Sequence, residues 1–344
     1  MPRRSTARAT FTSSPKAEGK YAHTAPRAPS RARDAGLRSR VMRWTVRSGD
    51  GTTLREVLSR AGADAGAISD GRVFIGLRRA RRDDELVKAG DVVHVAAPLP
   101  DDERVATLLW NAEDFVAADK PAGIPTIPDH AGSAHALITA VAHALGVEPS
   151  RLHATSRLDR DVSGVVVFTR TPEAAERLAR ARSEGTYERR YVAVAVHAPA
   201  DHAGAWDAPI GRALDARLRA VGGRDPVAAT TRYRVVELAP RGEAMLAVAP
   251  VTGRTHQIRV HAAHAGAPLL GDRAYGGPSR VTLPTGRVLE PGRVALHAAR
   301  VVVPGQDGSP VVVASPIPVE LGTLWSALGG DAVAWEVATS CALS

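Results

Sequence analysis

The 344-residue sequence holds a single cysteine, Cys341. An internal disulfide and a cysteine-based zinc site are therefore excluded, and a reducing cytosol is the expected compartment. Aromatic residues are scarce at 4%, and no apolar run approaches the length that a membrane span needs. The N-terminal stretch lacks an apolar segment of the secretory type. Being rich in Arg and Ser and poor in acids, it fits an organellar transit peptide as well as a solubilising leader. Apolar residues, at 44%, are plentiful enough for a proper core. The length suits one large domain with an appendage.

Charge is unevenly spread. Residues 1–48 contain twelve Lys/Arg against two Asp/Glu, a local excess of +10, whereas the remaining 33 basic and 34 acidic residues sum to −1. Rich in Pro, Ser, Ala and Arg and without hydrophobic periodicity, residues 1–43 read as a disordered basic tail drawn to polyanions such as RNA.

Order is expected to begin near Trp44. "TLREVLSRA" (Thr53 to Ala61) places Leu54, Val57, Leu58 and Ala61 on one helical face. "GRVFIG" (Gly71 to Gly76) reads as a strand, and "LVKAGDVVHVA" as a turn followed by another. This succession, with the basic "LRRARRDDE" between, resembles the S-four-like RNA-binding domain, in which the basic stretch supplies phosphate contacts; an ordinary α+β appendage is the alternative over 44–98. "LPDDER" (Leu99 to Arg104) reads as a linker. Beyond it, strands are expected at Phe115–Ala118, in "VVVF" after Gly164, from Tyr191 to His197, in "TRYRVVEL", in "MLAVAPV", and around "RVALHAARVVV" and "PVVVASP". Helices are expected from Ser133 to Gly146, from Pro172 with Thr171 as N-cap and Gly185 closing it, and in "THQIRVHAAHAG". Strands outnumber helices and mostly follow one another directly, which predicts an α+β fold with a mixed, mainly antiparallel sheet flanked by helices.

Three stretches carry polar residues that a bare scaffold does not require. "RLDRDVSG" (Arg157 to Gly164) sets Asp159 between arginines ahead of a Ser-Gly turn and a buried strand. "YERRYVAVAV" has Tyr191 opening a strand after two arginines. "VTGRTHQIRVHAAHAGAPLLGDRAYG" (Val251 to Gly276) crowds Arg254, His256, Gln257 and Arg259 at the start of a helix. Singly, the first two have ordinary explanations: a solvated ion pair and a half-buried packing tyrosine. The histidines at 256, 261 and 264 have neither the HExxH spacing nor a nearby ligating carboxylate, so no metal is expected.

In order and spacing, the three stretches resemble the motifs of the RluA-type pseudouridine synthases. The resemblance runs from about Ala112 to Pro318 and takes in "DKPAG" (Asp119 to Gly123). "TGRTHQIR" matches the family's T-G-R-x-H-Q-x-R throughout. "SRLDRDVSG" matches H-R-L-D-x-x-T-S-G except at Ser156 and Val162, which flank the pocket and bear on which uridine is recognised. The resemblance implies isomerisation of uridine to pseudouridine in RNA without a cofactor, by a cytoplasmic monomer that binds no membrane. Ribosomal RNA is favoured over transfer RNA. It casts Asp159 as the catalytic carboxylate, acting as nucleophile or base, with Tyr191 against the uracil ring and Arg259 as partner of the carboxylate. Arg157, Arg254, His256 and Gln257 become substrate-binding candidates, Arg157 by filling the space that a flipped-out base leaves. The expected organisation is tail 1–43, small domain 44–98, catalytic domain 99–320 and C-terminal extension 321–344. Two other readings exist: a non-catalytic RNA-binding or ribosome-assembly protein on the same scaffold, and a carbohydrate-active enzyme using a carboxylate pair, for which Asp161 is the nearest second acid.

Overall fold

A computed structural model of the protein describes residues 42–63, 67–68, 73–76, 78–80, 82–95, 106–128 and 136–343. The expected basic tail lies outside the described residues apart from its last two, as do the linker Leu99–Arg104 and the helix start at Ser133.

The first described elements are β1 (Met42–Thr45), α1 (Leu54–Arg60), β2 (Val73–Ile75), β3 (Arg78–Arg79) and β4 (Val92–Val95). They make an antiparallel sheet in the order β1-β4-β2-β3. A reciprocal cap starts α1: the Glu56 amide donates to the Thr53 hydroxyl, and the Glu56 carboxylate accepts the Thr53 amide. Leu54, Val57 and Leu58 then pack on Val73, Val93 and Val95. Part of the basic stretch expected to bind phosphate is neutralised locally, since Arg82 pairs with Asp84, and Asp83 with Arg55 at 2.7 Å.

The larger unit runs β5 (Thr107–Asn111), β6 (Phe115–Lys120), α2 (Leu137–Leu145), β7 (His153–Ala154), β8 (Ser163–Thr169), α3 (Pro172–Ser183), β9 (Glu188–Ala195) and β10 (Ala203–Asp207). Next comes a three-stranded arm, β11 (Ile210–Arg212), β12 (Arg219–Val221) and β13 (Arg224–Val227), then β14 (Thr230–Leu238), β15 (Ala244–Pro250) and α4 (Gln257–His264). The short hairpin β16 (Val281–Thr282) and β17 (Val288–Leu289) precedes β18 (Leu296–Pro304), β19 (Pro310–Ala314), α5 (Val319–Ala327) and α6 (Val333–Ser340). Ten strands form one mixed sheet in the order β10-β14-β15-β9-β18-β8-β6-β5, with β19 on β18 and β7 on β8. Only β18 with β8 is parallel among the described pairs; its other pairs are antiparallel, as the element order suggests.

The central strands are apolar on both faces, and alternate residues feed different cores. Val166, Phe168, Ala193, Leu246 and Val248 pack under α2 and α4. On the opposite face Val165 and Val167 meet Ala174 and Leu178 of α3. There, too, Val192, Val194, Met245 and Ala247 meet Trp325 and Trp335 of α5 and α6. The residues expected as a C-terminal extension therefore cover part of the sheet, and truncating the wholly buried Trp325 to Ala costs about 3–5 kcal/mol.

Two local expectations need correction. Ser163 and Gly164 are not a turn but the first residues of β8. Gly164 has φ +116°, and a Cβ there would lie 2.2 Å from the Ala298 carbonyl oxygen of β18. The glycine is dictated by strand approach. Nor does Tyr191 open its strand: β9 starts at Glu188, because Glu188 to Arg190 also pair with β18.

Candidate active site

Asp159 lies in the turn between β7 and β8, which closes with the Val162 amide donating to the Asp159 carbonyl at 3.1 Å. The segment following β6 clamps this turn. The Thr126 hydroxyl donates to the Leu158 carbonyl at 3.1 Å and accepts the Leu158 amide at 3.0 Å. Lys120, wholly buried, donates from Nζ to the carbonyls of Pro121, Ile124 and Arg160 at 3.0, 2.7 and 3.0 Å. Burial pulls its ammonium down to about 7, against the Asp161, Asp159 and Asp119 carboxylates, which favour the charged form.

The facing wall is the loop from β15 into α4. Gln257 sets its shape: its side-chain oxygen accepts from the Thr252 hydroxyl and the Arg254 amide at 2.7 and 2.9 Å. Its amide group donates to the Thr230 carbonyl and the Thr231 hydroxyl, both at 2.9 Å. Arg189 adds bonds to the carbonyls of Pro250 and Thr252, both at 2.8 Å. His256, at the N-cap of α4, takes the left-handed conformation with φ +58°, uncommon for a residue with a side chain.

One turn into the helix, Arg259 joins the two walls. Its Nη1 donates to Asp159 Oδ2 at 2.8 Å, while Nε and Nη2 grip Asp272 in a bidentate pair at 2.7 and 2.6 Å. Burial disfavours its charge, but Asp272 and then Asp159 outweigh this and raise the guanidinium above its ordinary value. The Tyr275 ring lies 4.9 Å from the same guanidinium. His256 places Nε2 3.9 Å from the other Asp159 oxygen, Oδ1. Burial lowers the imidazole, with the Asp159 charge opposing and Arg259 reinforcing. Tyr191 is buried on β9, and burial raises its phenol to about 12.

All seven residues expected at the site, Asp159, Tyr191, Arg259, Arg157, Arg254, His256 and Gln257, line one cavity of about 410 Å³. Arg157 is exposed and makes no hydrogen bond or ion pair among the described residues, so its guanidinium can face a ligand. Arg254 is exposed too, with Nε on the Ala228 carbonyl at 3.0 Å. Gln257 departs from its expected role: both ends of its amide serve the protein, so it shapes the wall rather than reading a substrate. Sequence reasoning missed Asp272, Tyr275 and the anchoring part of Lys120. The first two lie in "LLGDRAYG" and the third in "DKPAG", stretches marked as motifs with no role attached to those side chains.

Chemically, the arrangement is a carboxylate with one oxygen bound by a guanidinium and the other open to a cavity, beside a buried phenol. Such a carboxylate can attack carbon or accept a proton. Among the described residues no group of three or more His, Cys, Asp or Glu is placed to hold a metal ion, and no helix is long and apolar enough to cross a membrane.

Residues 114–264 match the family model described as RNA pseudouridylate synthase. The chain is 34% identical over 281 residues to a ribosomal large subunit pseudouridine synthase D of Xanthomonas campestris pv. campestris, a match covering 77% of this chain and 83% of the relative. It is 32% identical to an uncharacterized RNA pseudouridine synthase of Chlorobaculum parvum, over 74% and 85% of the two chains. Among solved structures it is similar to human RNA pseudouridylate synthase domain containing 4, with a TM-score of 0.52 at 23% identity over 65% of this chain and 93% of that one. At that identity the likeness speaks for the fold.

Proposed function

The chain belongs to the RluA-type family of RNA pseudouridine synthases, isomerases that act on RNA, and on that premise we propose that it converts a uridine of large-subunit ribosomal RNA with Asp159 as the catalytic carboxylate. The observation that carries this reading is the Asp159–Arg259–Asp272 chain at the cavity. Arg259 fixes Oδ2 and leaves Oδ1 as the oxygen that meets the substrate. Ribosomal RNA is chosen because relatives from several bacteria carry the name ribosomal large subunit pseudouridine synthase D.

Isomerisation breaks the bond between ribose and the uracil nitrogen, turns the base, rejoins it through ring carbon 5, and removes the proton on that carbon. Asp159 starts the sequence by attacking the sugar or by taking a sugar proton; both routes use an oriented, ionised carboxylate, and Arg259 holds it so. Tyr191, protonated at neutral pH, forms a wall against the uracil ring and relays the last proton through water. Arg157 fills the space that the target base vacates in the RNA, and Arg254 meets backbone phosphate near the cavity mouth. His256 faces the reacting oxygen, and Gln257 holds the wall.

The test is to map pseudouridines in ribosomal and transfer RNA from cells with the wild-type protein, without it, and with Asp159→Asn. Loss of one large-subunit position in the latter two is expected. A lost position in transfer RNA would refute the substrate, and normal modification by Asp159→Asn would refute the catalytic role.

A further inference from the structure

His256 faces the Asp159 oxygen that Arg259 leaves free, with Nε2 3.9 Å from Oδ1. Its effect there depends on which ring nitrogen bears the proton. A hydrogen on Nε2 favours the anionic carboxylate, whereas a lone pair on Nε2 repels it.

The choice is made on the far side of the ring. His256 Nδ1 lies 2.6 Å from the Tyr275 hydroxyl, which also accepts the backbone N–H of Arg219 at 3.0 Å. A backbone N–H can only donate, so the sole acceptor for the hydroxyl's own proton among the described residues is Nδ1. Pairing the hydroxyl's proton within the protein leaves Nδ1 bare and puts the imidazole hydrogen on Nε2, facing Asp159. Burial keeps the phenol protonated by raising it, and lowers the imidazole, which stays neutral. Five groups face this imidazole. Asp159 and Asp272 favour its charge, Arg259 and Arg219 oppose it, and the Tyr275 ring meets it edge-on with centroids 5.6 Å apart.

We propose that Tyr275 is a positioning residue of this site, whose hydroxyl fixes the tautomer of His256 so that an N–H faces the reacting oxygen of Asp159. The same hydroxyl ties β12 of the three-stranded arm to the site through Arg219, so the arm and the imidazole that faces the carboxylate share one hydrogen-bond chain. The inference rests on the reading of Asp159 as the catalytic carboxylate. It adds a role for Tyr275 that neither the motif spacing nor the Asp159–Arg259 pair contains.

Tyr275→Phe isolates the hydroxyl, because the phenyl ring keeps its place against Arg259. Two readouts are taken on the full chain. The first is the ¹⁵N spectrum of the side chain of His256, assigned by comparison with His256→Ala. The wild type is expected to show the Nε2–H tautomer, and Tyr275→Phe a shift toward Nδ1–H or a mixture. The second is a double-mutant cycle of pseudouridine formation with Tyr275→Phe and His256→Ala. Tyr275→Phe should lower kcat about ten- to a hundredfold, as happens when a group orienting a functional imidazole is lost. KM for RNA should stay within about twofold, and the further loss should be small once His256 is already Ala. A purely structural tyrosine would instead add its full loss in the His256→Ala background. An Nδ1–H imidazole in the wild type, or an additive cycle, overturns the proposal. The spectrum needs no catalysis, so it fails or holds separately from the assignment of Asp159.

Discussion

Replacing Arg259 by Leu removes one cation and strands two carboxylates of unequal exposure. Asp272 is 1% exposed and loses both hydrogen bonds of its bidentate pair, whereas Asp159, with a side chain 24% exposed, loses one bond and keeps access to water. Removing one partner of a buried pair costs about 3–5 kcal/mol, because the remaining charge stays desolvated. Most of this belongs to Asp272. The double variant Arg259→Leu with Asp272→Asn should therefore recover most of the loss and come within about 1–2 kcal/mol of wild type, since a neutral amide is far cheaper to bury than an unpaired charge. Catalysis should not return, because Asp159 still lacks its support. Equilibrium unfolding in urea at pH 7, followed by tryptophan fluorescence, measures the three stabilities, and pseudouridine formation measures the activity. An Arg259→Leu protein within about 1 kcal/mol of wild type, or a double variant no more stable than the single, would refute the reasoning.

Other expectations are as direct. Asp159→Asn should reduce kcat by about a thousandfold or more while RNA affinity changes only a few-fold, because the amide keeps the shape but neither attacks nor accepts a proton; a filter-binding titration beside the activity assay separates the two. Gly164→Ala should cost about 3 kcal/mol, given φ +116° and the Ala298 carbonyl where the methyl would go; a thermal midpoint near wild type would contradict this. His297 is wholly buried, has Nδ1 2.8 Å from the Ser163 hydroxyl, and is pushed by burial down to about 4 from 6.5. Its lowered value means that the unfolded chain binds a proton that the native state refuses between those limits. Stability is thus complete above about pH 6.5 and falls by about 3 kcal/mol as the pH drops to 4; urea curves at pH 7, 5.5 and 4.5 should steepen this loss in wild type relative to His297→Gln. Deleting residues 1–40 removes ten Lys/Arg and two Asp/Glu and spares β1, so the salt dependence of RNA binding should flatten while the modified position stays the same.

Much of the site was legible because its signals are local. Asp159 stands out within eight residues of chain, and Arg254, His256, Gln257 and Arg259 within six. Thr171, Pro172 and Gly185 bracket α3 as caps do in any sequence, since their chemistry acts on the nearest backbone amides and carbonyls. The apolar runs "VVVF" and "VAVAV" announced strands, and their lack of alternation reflects burial on both faces. Sequence resemblance, too, was enough to place the chain among the pseudouridine synthases.

What tertiary structure decided are the relations between distant segments. Asp159 and Arg259 are separated by 100 positions and meet at 2.8 Å only because β8 and the β15–α4 loop come together. Gln257 looked like a reader of substrate; four hydrogen bonds within the protein make it a brace instead. Gly164 looked like a turn residue until the path of β18 showed what occupies the place of its Cβ. Asp272 and Tyr275 lay in plain sight in "GDRAY", but a carboxylate and a phenol have no role until the fold sets a guanidinium and an imidazole within hydrogen-bond reach. Periodicity and capping report how a segment meets its nearest neighbours along the chain, whereas a polar side chain takes its role from partners that only packing supplies.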